Sequence, residues 1–341
     1  MTRIIDIYTH IMPAAFTAAF GRASPKLGNI AARLRSVAAL HDLDLRFRQM
    51  DAAGEGYEQV ISLPNPPLED VTDAATAAAL SRIANDGLAE LCARHPDRFP
   101  AFVATIPMGE PDAAVAEAER AIGGLGARGV QVFTNVAGKP LDLPEYEPVF
   151  ATLAHYDLPI WLHPARTAEM TDYASEPRSR FEMWWCFGWP YETSVAVSRL
   201  VFSGLFDRHQ GLKLVTHHGG GMIPYYDGRI GLGMEVLGSR TTDEDLTGVL
   251  PALERPHLDY FRDIFADTAM FGSGTGLPTV LAFYGARRMV FATDAPLGPI
   301  PPTLRVLDAL DLTPEDRQAI LSGNAERLLR LNGAADQGGS A

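Results

Sequence analysis

Short, nearly uninterrupted apolar runs recur along the chain, separated by longer stretches with apolar residues at helical spacing. The runs fall at residues 3–7, 58–63, 101–106, 129–133, 159–163, 212–217, 264–268 and 289–293. Most are apolar throughout rather than alternating, the pattern of strands covered on both faces of a parallel sheet. Between them the spacing predicts helices over 73–94, 112–123, 147–156 and 193–206, the first stopped by His95-Pro96. Strands that alternate with helices in this number predict an α/β fold, a single (β/α)8 TIM barrel, over a doubly wound sheet. No GxGxxG follows the first run, which argues against a dinucleotide-binding unit.

Three segments exceed the minimal repeat: 14–44, 166–190 and 238–262. We read them as loop insertions in one barrel domain spanning 1–335, with 336–341 as a flexible tail. Long loops after barrel strands build substrate pockets. The second insertion carries Phe181, Trp184, Trp185, Phe187 and Trp189. Such a cluster lines a pocket, with Trp184 as the substrate-facing candidate, or forms a subunit contact.

Composition narrows the function. The 341 residues are 47% hydrophobic, enough for a large core. No stretch approaches the ~18 apolar residues of a membrane span, and the N-terminus shows no secretory pattern. A formal charge of −13 argues against nucleic acid as a partner. Cys92 and Cys186 lie far apart with no CxxC, so the expectation is a reducing cytoplasm and no disulfide framework.

Side chains at the C-terminal strand ends of a barrel converge on one mouth. The first run leads into Tyr8 and His10, the fifth ends at His163, the sixth at His217-His218-Gly219-Gly220-Gly221, and the eighth leads into Asp294. A lone histidine at a strand end is usually a hydrogen-bonded structural residue, and Asp294 alone could cap a helix. Four strand ends that all offer imidazole or carboxylate instead suit a divalent metal with an open position for water or substrate. His41, His95, His155, His209 and His257 sit in helical or loop contexts and read as surface residues.

These residues carry a resemblance. Asp6-Ile7-Tyr8-Thr9-His10-Ile11-Met12-Pro13 resembles the D-x-H-x-H-x-x-P opening of the amidohydrolase-2 family. Arg48-Gln49-Met50-Asp51-Ala52-Ala53-Gly54, Pro190-Tyr191-Glu192-Thr193, Ser203-Gly204-Leu205-Phe206-Asp207, His218-Gly219-Gly220-Gly221, Gly228-Arg229-Ile230, Thr293-Asp294-Ala295-Pro296 and Gly323-Asn324-Ala325 resemble its later motifs, in order along essentially the whole chain. The layout is most similar to the aminocarboxymuconate-semialdehyde decarboxylases, with resorcylate-type and salicylate-type decarboxylases close by. The resemblance implies His10, His163 and Asp294 as metal ligands and His218 as the proton-transfer residue. It implies Arg229 as a carboxylate partner near a subunit contact, and Glu192 as an orienting residue. His217 should point to the opposite side of its strand and be structural. Tyr8 stands where the family has histidine or glutamate. It would serve either as a phenolate ligand or as a neutral hydrogen-bond donor to substrate or metal-bound water, and loss of the metal is a third reading.

The expectation is a homodimeric, metal-dependent non-oxidative decarboxylase of a small aromatic or unsaturated carboxylic acid, with zinc ahead of manganese or magnesium. The runner-up is a hydrolase or hydratase of a cyclic amide, lactone or related small molecule with Asp294 as base. A ligand-binding barrel without turnover comes third.

Overall fold

The computed structural model describes residues 3–23 and 28–331. β1 (Ile4–His10) pairs in parallel with β2 (Tyr57–Ser62), and β2 with β3 (Ala101–Phe102). After Val103 the strand resumes as β4 (Ala104–Thr105), which pairs with β5 (Val130–Phe133). A small antiparallel hairpin of β6 (Asn135–Val136) and β7 (Lys139–Pro140) then leaves the sheet. The parallel order continues through β8 (Ile160–His163), β9 (Leu214–Thr216), β10 (Phe265–Asp267) and β11 (Met289–Val290).

Two seams close the sheet into a (β/α)8 barrel, β3 and β4 counting as one strand position. At one, Val103 N donates to Ile61 O at 2.9 Å. At the other, Ile7 N donates to Phe291 O at 2.9 Å and Asp294 N to Tyr8 O at 3.2 Å. The second seam brings the two ends of the barrel sequence together and sets Asp294 beside β1.

Ile5, Ile7, Val60, Val103, Trp161, Val215 and Val290 form one buried cluster with Tyr8. Trp161 satisfies its buried N–H by donating to Ile7 O at 3.1 Å. A larger shell of apolar residues lies between the strands and the helices that follow them. Polar side chains are also buried here, and those of Asp6 and Arg46 are paired. Tyr57 and Thr293 donate their hydroxyls to the Asp6 carboxyl, and Thr293 N donates at 3.0 Å. Burial pushes the Asp6 pKa up to about 7 against those bonds. Arg46, 1% exposed, donates to Gln59 Oε1 at 2.8 Å, to Thr9 Oγ1 at 3.0 Å and to the carbonyl of His10.

The helix Ala74–Arg94 begins where Asp73 Oδ1 accepts from Thr76 N at 2.8 Å and ends at His95. The next predicted helix spans Pro111–Glu119 and widens into a π turn at Arg120–Gly124. Glu147–Tyr156 is observed as predicted. The helix expected over 193–206 begins earlier, at Gly188, and ends at Phe202. The first insertion is not a loop. It folds as helices Ala14–Ala23 and Gly28–Ser36, and Phe16 and Phe20, four apart on one face, pack with Leu80 and Ala84 of the helix Ala74–Arg94. The third insertion ends in the helix His257–Asp263. The expected tail at 336–341 lies outside the described residues.

Candidate active site

The C-terminal ends of β1, β8, β9 and the segment after β11 deliver Tyr8, His10, His163, His217, His218 and Asp294 to one rim. The ring nitrogens are aimed by what holds Nδ1. His10 Nδ1 donates to Leu63 O at 3.0 Å, His163 Nδ1 to Pro164 O at 2.8 Å, and His218 Nδ1 to Ala269 O at 2.7 Å. His217 Nδ1 donates to Asp267 Oδ2. Carbonyl and carboxylate oxygens only accept, so each Nδ1 bears hydrogen and Nε2 is the free ring nitrogen. The Nε2 atoms of His10 and His217 are buried without a hydrogen-bond partner among the described residues. Their polar neighbour is Asp294 Oδ1, at 3.2 and 3.5 Å. Ligand atoms of His10, His163 and His217 lie within 4.8 Å of one another, as do those of His217, His218 and Asp294. Orphaned imidazole nitrogens around a carboxylate are what a divalent cation would satisfy, so the donor set fits a metal.

Burial opposes ionisation of Asp294, but contacts with His10 and His217 hold its carboxyl well below the usual range. Burial, then the charges of His217 and His10, pushes His163 well down. His218 is lowered to about 4 by burial and by His217. His217 runs the other way: burial lowers it, yet Asp267 and Asp294 raise it to about 9. Burial and the charges of Asp267 and Asp294 keep the Tyr8 phenol neutral. His218 and Asp294 both adopt left-handed backbone conformations, with φ of 55° and 65°, a strain of about 1–3 kcal/mol each that functional sites often store.

A family model described as amidohydrolase (Amidohydro_2) matches residues 5–331. The chain belongs to the amidohydrolase family. Gamma-resorcylate decarboxylase of Rhizobium sp. (strain MTP-10005) is 35% identical over 305 residues, covering 85% of this chain and 88% of the relative. 2-Amino-3-carboxymuconate-6-semialdehyde decarboxylase of Dictyostelium discoideum is 28% identical, covering 75% and 68%. By identity, then, the resorcylate type stands nearer than the type whose layout the motifs suggested. The crystal structure of a dihydroxybenzoic acid decarboxylase from Polaromonas sp. JS666, with bound manganese and the inhibitor 2-nitroresorcinol, superposes with a TM-score of 0.78. It is 28% identical and covers 98% of both chains.

In this amidohydrolase the rim is walled by aromatic rings. Trp189 lies parallel to His218, at 6.2 Å and 10°. Phe271 approaches His218 from 6.2 Å, and Phe133 lies 5.2 Å from His163. Trp189 Nε1 donates to Arg166 O at 3.2 Å, and Arg166 is held by Glu192 at 2.9 Å. Glu192 thus anchors the residue whose carbonyl holds Trp189. Trp184 stands behind Trp189, its ring 5.7 Å away, and is one ring removed from the histidines. Trp185 contacts both Trp189 and Phe271. Phe181 and Phe187 are exposed, so the aromatic segment divides between pocket and surface.

Two sequence expectations need correction, those for His217 and for three of the histidines read as surface residues. His217 does not turn away from the rim. β9 ends at Thr216, His217 is extended, and the left-handed His218 swings back so that the two rings stack at 3.7 Å. Side-chain alternation holds only while the strand lasts. Arg229 is exposed on the short helix Asp227–Ile230, in a groove with Tyr191, Tyr226, Met234 and Leu237 that does not include the histidines. Finally, His95, His209 and His257 are half-buried and engaged. His95 packs between Phe47 and Phe99, His209 pairs with Glu147 at 2.7 Å, and His257 bonds Ile230 O at 2.7 Å.

Proposed function

We propose that this amidohydrolase is a metal-dependent, non-oxidative decarboxylase of a small aromatic carboxylic acid, with one divalent ion held by His10, His163 and Asp294. The observation that carries the reading is an aromatic wall set over the imidazole–carboxylate cluster, with Trp189 parallel to His218. A planar ring fits against Trp189 and Phe271 by stacking and edge contacts. When bound, the ion supplies Lewis-acid polarisation and a template for the substrate's oxygens.

The chain's own residues do the rest. Asp294 stays ionised and holds its ring partners in place. His218, fixed through Nδ1 to Ala269 O, presents Nε2 to the substrate. Loss of CO2 leaves an electron pair on carbon, which must take a proton. A proton on His218 Nε2 serves that step, and water restores it. The low pKa of His218 makes its imidazolium a strong acid, and an arriving carboxylate favours the protonated form. The wall of Trp189, Trp185 and Phe271 limits water around the carbanion-like centre.

Zinc suits a tetrahedral nitrogen-and-oxygen donor set, and manganese is the ion in the Polaromonas relative. Elemental analysis of purified protein identifies the ion. A homodimer places the exposed groove around Arg229, Tyr191 and Tyr226 against a second copy, where Arg229 can meet a carboxylate. Light scattering at a monomer mass rejects this. Two unpaired cysteines suit a reducing cytoplasm. The deciding experiment incubates metal-loaded protein with a panel of hydroxybenzoic acids labelled with carbon-13 in the carboxyl group and measures labelled CO2. Release that is abolished by chelator supports the proposal. Hydrolysis of lactones or cyclic amides without CO2 release from any acid overturns it.

A further inference from the structure

We infer that His217, held by Asp267, is itself a ligand of the divalent ion, which makes the centre one of three histidines and one aspartate. The inference rests on the metal-site reading above. Four observations carry it. His217 is fully buried, and its Nε2 has no hydrogen-bond partner among the described residues. Its ligand atom lies within 4.8 Å of those of His10 and His163, so these three imidazoles form a single donor group. Asp294 Oδ1 sits 3.2 Å from His10 Nε2 and 3.5 Å from His217 Nε2. For metal–ligand distances near 2.1 Å, neighbouring donors lie ~3.0 Å apart in an octahedron and ~3.4 Å apart in a tetrahedron. The Asp294 contacts to His10 and His217 are thus both close to the edges of one coordination shell.

The fourth observation is the locking of the ring. Asp267 is fully buried at the end of β10. Its Oδ2 takes the His217 Nδ1 hydrogen, and its Oδ1 accepts from Gly219 N and Ala269 N, each at 3.1 Å. A carboxylate behind an imidazole fixes the tautomer and makes the far nitrogen a better donor. Tyr8 covers the face of this ring at 3.8 Å. It packs against the ligand and leaves the donor place to His217.

The competing account is a metal-independent role, in which His217 is an imidazolium bridging Asp267 and Asp294. Cobalt(II) distinguishes the two. The wild-type chain, His217→Ala, Asp267→Asn and His163→Ala are loaded with cobalt. Affinity is read by chelator competition, and the ligand field by visible absorption. The inference expects His217→Ala to lose more than the ~10–100-fold that loss of an orienting partner costs, with an altered spectrum, and Asp267→Asn to lose ~10–100-fold. It is overturned if His217→Ala binds cobalt within about 3-fold of wild type and gives the wild-type spectrum. Should His217→Ala fail to fold by circular dichroism, Asp267→Asn decides, and unchanged affinity and spectrum there overturn it. Failure of the underlying metal reading looks different: wild type takes up no stoichiometric cobalt, and His163→Ala matches it.

Discussion

Arg46 touches no substrate and no ligand side chain, yet it should govern both stability and the site. Its guanidinium is buried and bonds three acceptors on the first two strands, including the main-chain carbonyl of His10. It also lies 5.6 Å from the centre of the Phe99 ring. Burial lowers its pKa to about 10, so it remains charged at neutral pH. The substitution Arg46→Met keeps the apolar stem and removes the charge. Three bonds to a charged donor are worth about 1.5–3 kcal/mol each. Relief of the buried guanidinium offsets several kcal/mol, while the orphaned acceptors add a penalty. Breaking such a buried network from one side costs about 3–5 kcal/mol net. An unfolding entropy of ~2.1 cal/mol/K per residue gives ~0.7 kcal/mol/K for 341 residues. The expected fall in Tm is therefore about 4–7 °C. Thermal denaturation followed by circular dichroism in excess chelator measures it free of metal linkage. Metal affinity should fall as well, because the His10 backbone loses its anchor. A Tm within about 1 °C of wild type would refute the reasoning.

His218→Ala should keep fold and metal while turnover drops by about 10²–10⁴-fold. Loss of metal from that variant would make His218 a ligand. Tyr8→Phe removes a buried hydroxyl that has no hydrogen-bond partner among the described residues. Metal content should stay near normal and substrate handling weaken, whereas a sharp loss of metal affinity would identify a phenolate ligand. Cys186 is exposed, while burial pushes the Cys92 thiol up to about 12. A disulfide-exchange reagent should therefore titrate one thiol in the native protein and the second only after denaturation; two thiols reacting at once would contradict this placement.

The barrel was legible because its strands are continuous apolar runs and its longest helix, Ala74–Arg94, keeps the helical period up to the stop at His95-Pro96. His10, His163 and Asp294 were legible because strand ends of a barrel face one mouth. His217 was misread because alternation was extended one residue beyond Thr216, where β9 had ended and a positive φ at His218 reset the direction. The first insertion was read as loop although Phe16 and Phe20 already carried the helical period. Arg46 left no signal in sequence. Its role depends on β1, β2 and the helix Leu43–Ala53 meeting in space, and no local pattern encodes that.

The imidazoles of His10, His163 and His217, whose Nδ1 atoms are all pinned by the surrounding chain, would cost little to organise when an ion arrives. The ordering was completed during folding, so the polypeptide selects geometry first and element second. A rigid cage of this kind discriminates poorly among first-row ions of similar radius, and intrinsic affinity then follows the general order that favours copper and zinc. Occupancy in a living cell would thus reflect which ion the cell makes available when the barrel closes. Protein from manganese-rich and zinc-rich cultures should carry different ions in the same scaffold, and any difference in rate between the two preparations would originate in the culture medium rather than in the gene.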